Sequence, residues 1–101
     1  MSEIIKEENR IIIKPGKDIV ASTADGFRSE LLSLIKEFPM EIIIDLSGVK
    51  MVDSVGIGVI IATHNSLNKN GGSLRVTNIA EDIYNLFTVM RLDRHFKMER
   101  A

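Results

Sequence analysis

The chain has 101 residues, 45% of them apolar, with 13 basic side chains, 14 acidic ones and no cysteine. That length suits a single small domain with one core, and that apolar share excludes a disordered chain. A formal net charge of -1 excludes a field strong enough to recruit nucleic acid or an anionic membrane, and the lack of cysteine excludes disulfides, thiolate chemistry and Cys-based zinc.

Met1 to Arg10 is polar and charged and does not read as a signal peptide. No apolar run approaches the ~20 residues that span a bilayer, so the expectation is a cytoplasmic protein with no membrane insertion. No linker or repeat divides the chain, and residues 1–101 read as one domain.

In chain order, Ile4-Ile5 and Arg10 to Lys14 predict two short strands that pair across Asn9, the second rich in β-branched isoleucine. Pro15-Gly16 ends the second strand with turn chemistry. Asp18-Ile19-Val20 is a short extended piece leading to a helix capped by Ser22 or Thr23. Phe27, Leu31, Leu34, Ile35 and Phe38 form that helix's apolar stripe, and Pro39 stops it. Burying such side chains contributes about 1.5–3 kcal/mol each, which outweighs the roughly 1 kcal/mol that Gly26 costs inside a helix.

Glu41 to Leu46 predicts a strand. Its Ile42-Ile43-Ile44 run does not alternate, so a central strand covered on both sides is expected. A helix follows from Val55 to about Asn68, closed by Asn70-Gly71-Gly72. Leu74 to Thr77 alternates as the next strand. Asn78, with Glu81 three residues later, has the form of a capping box for a third helix carrying Ile83, Leu86, Phe87 and Met90. His95 to Met98 fits a last edge strand. The order implies an α/β fold: a mixed, mostly parallel central sheet with helices packed on it. The right-handed crossover rule brings the loop from Lys14 to Thr23 and the turn at Asp53-Ser54 to one edge of that sheet.

Catalytic and cofactor motifs are missing. In Gly56-Ile57-Gly58 the third glycine of a dinucleotide fingerprint is replaced by Ile61, and no phosphate-loop lysine follows. Ser54 has only one of the two glycines of a nucleophile elbow. His64 and His95 lack metal-ligand spacing. The expectation is a protein without enzymatic activity, cofactor or metal.

Attention therefore falls on Asp53-Ser54-Val55-Gly56-Ile57-Gly58. A helix start has unpaired N–H groups and a partial positive charge. Ser54 there can cap the helix, or carry a phosphate facing the helix end. Gly56 and Gly58 stand where helix propensity alone would not place them. They serve either close packing on the sheet or access of a partner to Ser54.

Ile42-Ile43-Ile44-Asp45-Leu46-Ser47-Gly48-Val49 followed by Val52-Asp53-Ser54-Val55-Gly56-Ile57-Gly58-Val59 resembles the STAS domain of bacterial anti-sigma factor antagonists. Asn70 to Val76, and Leu86-Phe87 to Leu92-Asp93, are similar to its later part. The likeness runs from about Arg10 to Phe96. It implies a regulator that binds an anti-sigma factor which is also a serine kinase. The kinase would phosphorylate Ser54, and a serine phosphatase would reverse this. Asp53, Val55, Gly56 and Gly58, with Asp18, Ser22 and Thr23 from the loop before the first helix, would form the partner-binding surface. In that loop Val20 stands where antagonists often carry an acid, with Asp18 the nearest one. The family also includes non-phosphorylated interaction subunits of transporters, such as ABC lipid-transport complexes, as an alternative role.

Overall fold

A computed structural model describes residues 1–101. The elements are β1 (Glu3–Lys6), β2 (Arg10–Lys14), α1 (Ala21–Ile35), β3 (Glu41–Asp45), α2 (Ser54–Lys69), β4 (Ser73–Ile79), α3 (Glu81–Val89), a 3-10 turn (Leu92–Arg94) and β5 (Lys97–Arg100). The five strands lie side by side in sequence order. β1 and β2 are antiparallel, and every later pair is parallel. The α/β mixed sheet expected from the sequence is the observed one.

Each parallel crossover steps one strand in the same direction. Right-handed connections then place α1, α2 and α3 on one face of the sheet. The core agrees: Ile11, Ile13, Ile42, Ile44, Leu74 and Val76 share one apolar cluster with Phe27, Leu31, Ile57, Ile60, Ile83 and Phe87. Coverage of β3 on both sides is therefore corrected. Ile43 points away from the helices and is buried, yet it lies outside that cluster. It is flanked in register by Ile12 on β2 and Arg75 on β4, so sheet neighbours rather than a second helix layer shield it. Arg75 in turn pairs with Glu41 at 3.1 Å and Glu99 at 3.6 Å.

Three local expectations also change. The cap of α1 is Val20, not Ser22 or Thr23; Ser22 and Thr23 lie inside the first turn. Thr23 Oγ1 accepts from the Val20 N–H at 3.0 Å and donates to the Asp18 carbonyl at 2.7 Å, so it holds the entry to the helix from within. Helix α1 ends at Ile35, and Phe38 leaves the apolar stripe: it is 72% exposed, with φ 53°. Proline disfavours right-handed helical geometry at the residue before it, and Phe38 takes a left-handed conformation instead. Asn78 is not a cap either. β4 continues to Ile79, Ala80 precedes α3, and the Asn78 amide donates to Asp45 Oδ1 at 2.9 Å from a backbone with φ 55°. Asparagine tolerates that left-handed conformation better than most residues.

Asp45, at the end of β3, explains why Asn78 is diverted. It is buried and accepts from the Ser47 N–H at 2.9 Å and the Ser47 hydroxyl at 2.6 Å. Burial pushes its pKa up, but the bonds from Ser47 and Asn78, with Lys14 nearby, overcome this and hold it below the usual carboxylate range. A depressed pKa contributes stability that is present above the unfolded value of about 3.9 and is lost as pH falls through the folded value. Asp45→Ala is expected to cost about 1–3 kcal/mol in urea denaturation at pH 7. The variant should also lose less stability than the parent on acidification below pH ~4. An unchanged acid profile would contradict this role.

Candidate functional site

The loops after β2 and β3 leave the C-terminal ends of neighbouring parallel strands, the usual place for a site in such sheets. Here they are joined backbone to backbone. Ile19 and Val52 form an isolated parallel bridge. The Ile19 N–H donates to the Met51 carbonyl at 3.0 Å, and the Asp53 N–H to the Ile19 carbonyl at 3.2 Å.

Two aspartates complete the joint. Asp18 Oδ1 accepts from the Lys50 and Met51 N–H groups at 2.8 and 3.1 Å. Asp53 Oδ1 accepts from Val55 and Gly56 at 3.0 Å each, and Asp53 Oδ2 accepts from Ala21 at 3.0 Å. Each loop thus supplies a carboxylate that satisfies the other loop's backbone. Asp53 caps its own helix and also the first residue of α1, so both helix starts share one anion. The Gly56 N–H bond is the largest cause of its depressed pKa. Partial desolvation opposes it, and the Ala21 and Val55 bonds add to it.

The cap of α2 is therefore Asp53 rather than Ser54. Ser54 is the first helical residue, exposed, with its hydroxyl engaged by no other group of the chain. The two glycines separate in role. A Cβ on Gly56 would sit 2.2 Å from the Ile19 carbonyl oxygen, so this residue lets the two loops meet. A Cβ on Gly58 would have no atom within 4 Å. Gly58 lies one turn beyond Ser54 on the same face of α2 and is exposed.

Of the residues singled out in the sequence, Asp18, Ser22, Thr23, Asp53, Ser54, Val55, Gly56 and Gly58 all lie at this one end of the molecule. Their side chains divide between jobs. Asp18, Thr23 and Asp53 are taken up in internal hydrogen bonds, whereas Ser22, Ser54 and Val55 face outward. Val20 is half-buried at the start of α1. Sequence reading overlooked Met51, which is 57% exposed in the turn before α2, while Val55 in the first turn of that helix is 43% exposed. The signal was an apolar residue in a polar turn, two positions after buried Val49 and next to buried Val52.

His64 and His95 lie together elsewhere, ring centroids 5.8 Å apart. His64 is about 15 Å along α2 from Ser54, at 1.5 Å rise per residue. No three His, Cys, Asp or Glu residues gather as a metal site, and no helix is long and apolar enough to cross a membrane. What the site offers chemically is a hydroxyl at a helix start, on a backbone tied by hydrogen bonds to the neighbouring loop, at an end of the molecule that also exposes Met51 and Val55.

Known proteins share this fold. The sequence profile of the STAS domain matches residues 2–101. The anti-sigma-B factor antagonist of Bacillus subtilis is 30% identical over 90 residues, which cover 89% of this chain and 82% of that protein. The crystal structure of an anti-sigma factor antagonist from Mycobacterium paratuberculosis superposes with a TM-score of 0.88 at 21% identity, covering 100% of this chain and 86% of the other. The Bacillus cell fate determinant SpoIIAA in its phosphorylated form gives 0.77 at 14% identity, covering 97% and 90%. At those identities the two solved structures speak to the fold alone.

The glycine contrast is directly testable. Gly56→Ala forces a backbone carbonyl to move and is expected to cost more than about 2 kcal/mol, in the range of strain and overpacking mutations. Gly58→Ala meets nothing and should raise stability by up to about 1 kcal/mol. Thermal denaturation of the two variants decides; equal effects would contradict the close approach at Ile19.

Proposed function

The chain belongs to the STAS domain family, and from that premise we propose that it acts as an anti-sigma factor antagonist switched by reversible phosphorylation of Ser54. The partner is an anti-sigma factor that is itself a serine kinase, and a serine phosphatase resets the switch. In this reading the chain is substrate and binding partner, performs no catalysis, and works in the cytoplasm, where sigma factors act.

The observation that carries the reading is the division of labour at the start of α2. Asp53 satisfies the helix end, so the Ser54 hydroxyl is free and exposed. A kinase can take it without removing a cap from the fold. Val55, Met51, Ser22 and the bare surface at Gly58 give the partner its contacts. Asp18, Thr23, Asp53 and Gly56 serve it by fixing the shape of the backbone.

Electrostatics then sets the consequence. A phosphoryl group adds about -1.5 to -2 charge. Its attraction to the helix start, typically 0.3–1 kcal/mol, is opposed by repulsion from the neighbouring Asp53 carboxylate, so the fold changes little. At an interface the balance differs. Burying an unpaired dianion costs at least several kcal/mol, and each 1.4 kcal/mol is about tenfold in affinity. Phosphorylation releases the partner while the domain stays folded.

Ser54→Asp is expected to keep the parent's melting temperature within a few degrees and to weaken partner binding by about tenfold or more. Ser54→Ala should keep binding and lose the phosphoform seen by intact-mass spectrometry of protein from its native cell. Undiminished binding by Ser54→Asp, or a phosphoform that persists in Ser54→Ala, would overturn the proposal.

A further inference from the structure

The far end of α2 carries a chemistry that the switch at its start does not use. Of the six asparagines in the chain, only Asn70 is followed by glycine. Asn70 ends α2, and Gly71 follows with φ 79°. Both are exposed. Glycine takes that left-handed conformation without strain, and here it builds a complete helix stop. The Gly71 N–H donates to the Asn68 carbonyl at 3.2 Å, and the Gly72 N–H to the Leu67 carbonyl at 2.8 Å. These are the two bonds that close a helix through a left-handed residue.

The stop is held unevenly. Its Gly72 side is fixed: a Cβ there would lie 2.8 Å from the Pro39 carbonyl oxygen, and the next N–H, of Ser73, donates to the Met40 carbonyl at 2.9 Å. Its Asn70–Gly71 side is loose. The Gly71 bond sits at the long limit for N–H···O, and a Cβ on Gly71 would meet no atom within 4 Å. The Asn70 side chain has one bond to the chain, from Nδ2 to the Ser66 carbonyl at 3.1 Å. A last turn held in this way frays readily. Fraying frees the Asn70 amide and, beside it, a backbone nitrogen that no side chain shields.

We propose that Asn70 is a site of spontaneous deamidation. The Gly71 nitrogen attacks Asn70 Cγ. The N–Cγ bond forms, the Cγ–Nδ2 bond breaks, and Nδ2 leaves as ammonia, the Gly71 proton reaching it through solvent. Water then opens the cyclic imide at one carbonyl or the other, which leaves aspartate or isoaspartate. One water is consumed for each ammonia released, and nothing is oxidised or reduced. Either product sets a carboxylate at the negative end of the helix, where an anion is unfavourable. Isoaspartate also adds a main-chain carbon between residues 70 and 71. The Gly71 and Gly72 bonds then lose their register with Asn68 and Leu67, because Gly72 has no room to shift against Pro39. The junction of α2 with β4 loosens. Ser54, about 24 Å away along the helix at 1.5 Å per residue, keeps its surroundings, and the reaction does not depend on its being modified.

Incubation of the full chain in mildly alkaline buffer, followed by intact-mass and peptide-fragmentation mass spectrometry, tests this. The chain should gain the mass difference of an acid over an amide. Aspartate and isoaspartate should both map to position 70 before any other asparagine changes. Asn70→Gln should stay unmodified over the same period, because its longer side chain closes a ring less readily. Aged chain enriched in isoaspartate should melt a few degrees below the parent. It should exchange amide hydrogens faster at Gly71 and Gly72, and at the parent's rate at Val55 and Gly56. The proposal is overturned if Asn70 stays an amide while the urea-unfolded chain converts there, or if the mass gain maps to another asparagine. It is overturned equally if Asn70→Gln converts at the parent's rate, or if the isoaspartate chain melts and exchanges like the parent.

Discussion

One carboxylate holds two helix starts together. Asp53 accepts three backbone N–H groups, two from α2 and one from α1. A helix start leaves four such donors unpaired, and two starts brought side by side would repel through their like partial charges. A single anion between them satisfies donors on both and offsets that repulsion. Asp53 lies between β3 and α2, and the Ala21 it caps opens α1, so the bond ties together two crossovers of the sheet.

The rest of the site follows from that tie. Ile19 and Val52 are close enough to bridge only because Gly56 carries no side chain. Asp18 returns the favour by capping the Lys50–Met51 turn, and the Met51 side chain stands exposed there. Ser54 is relieved of the capping duty that a serine in this position could otherwise perform. An outward hydroxyl on a rigid platform is what a modifying enzyme and a docking partner can both reach. In the proposed switch, that tie would let charge at Ser54 change binding without a change of fold.

Much of this was legible in the sequence, because it is local. The stripe at Phe27, Leu31 and Leu34, the isoleucine strand before Asp45 and the helix opening near Ser54 each follow from a few adjacent residues. What escaped reading depends on partners far along the chain. Val20 caps α1 because Asp53, 33 positions away, supplies the oxygen for the Ala21 N–H at that helix start. Asn78 has the form of a cap but serves buried Asp45. Ile43 looks like a residue covered by a helix but is shielded by its strand neighbours Ile12 and Arg75.

The shared cap is most directly tested by residue-resolved amide hydrogen exchange in Asp53→Ala. Exchange should accelerate at Ala21 together with Val55 and Gly56, while Ile43 and Ile44 in the central strand stay protected. Acceleration confined to Val55 and Gly56, with Ala21 unchanged, would mean that the two helix starts stand independently and that no single anion joins them.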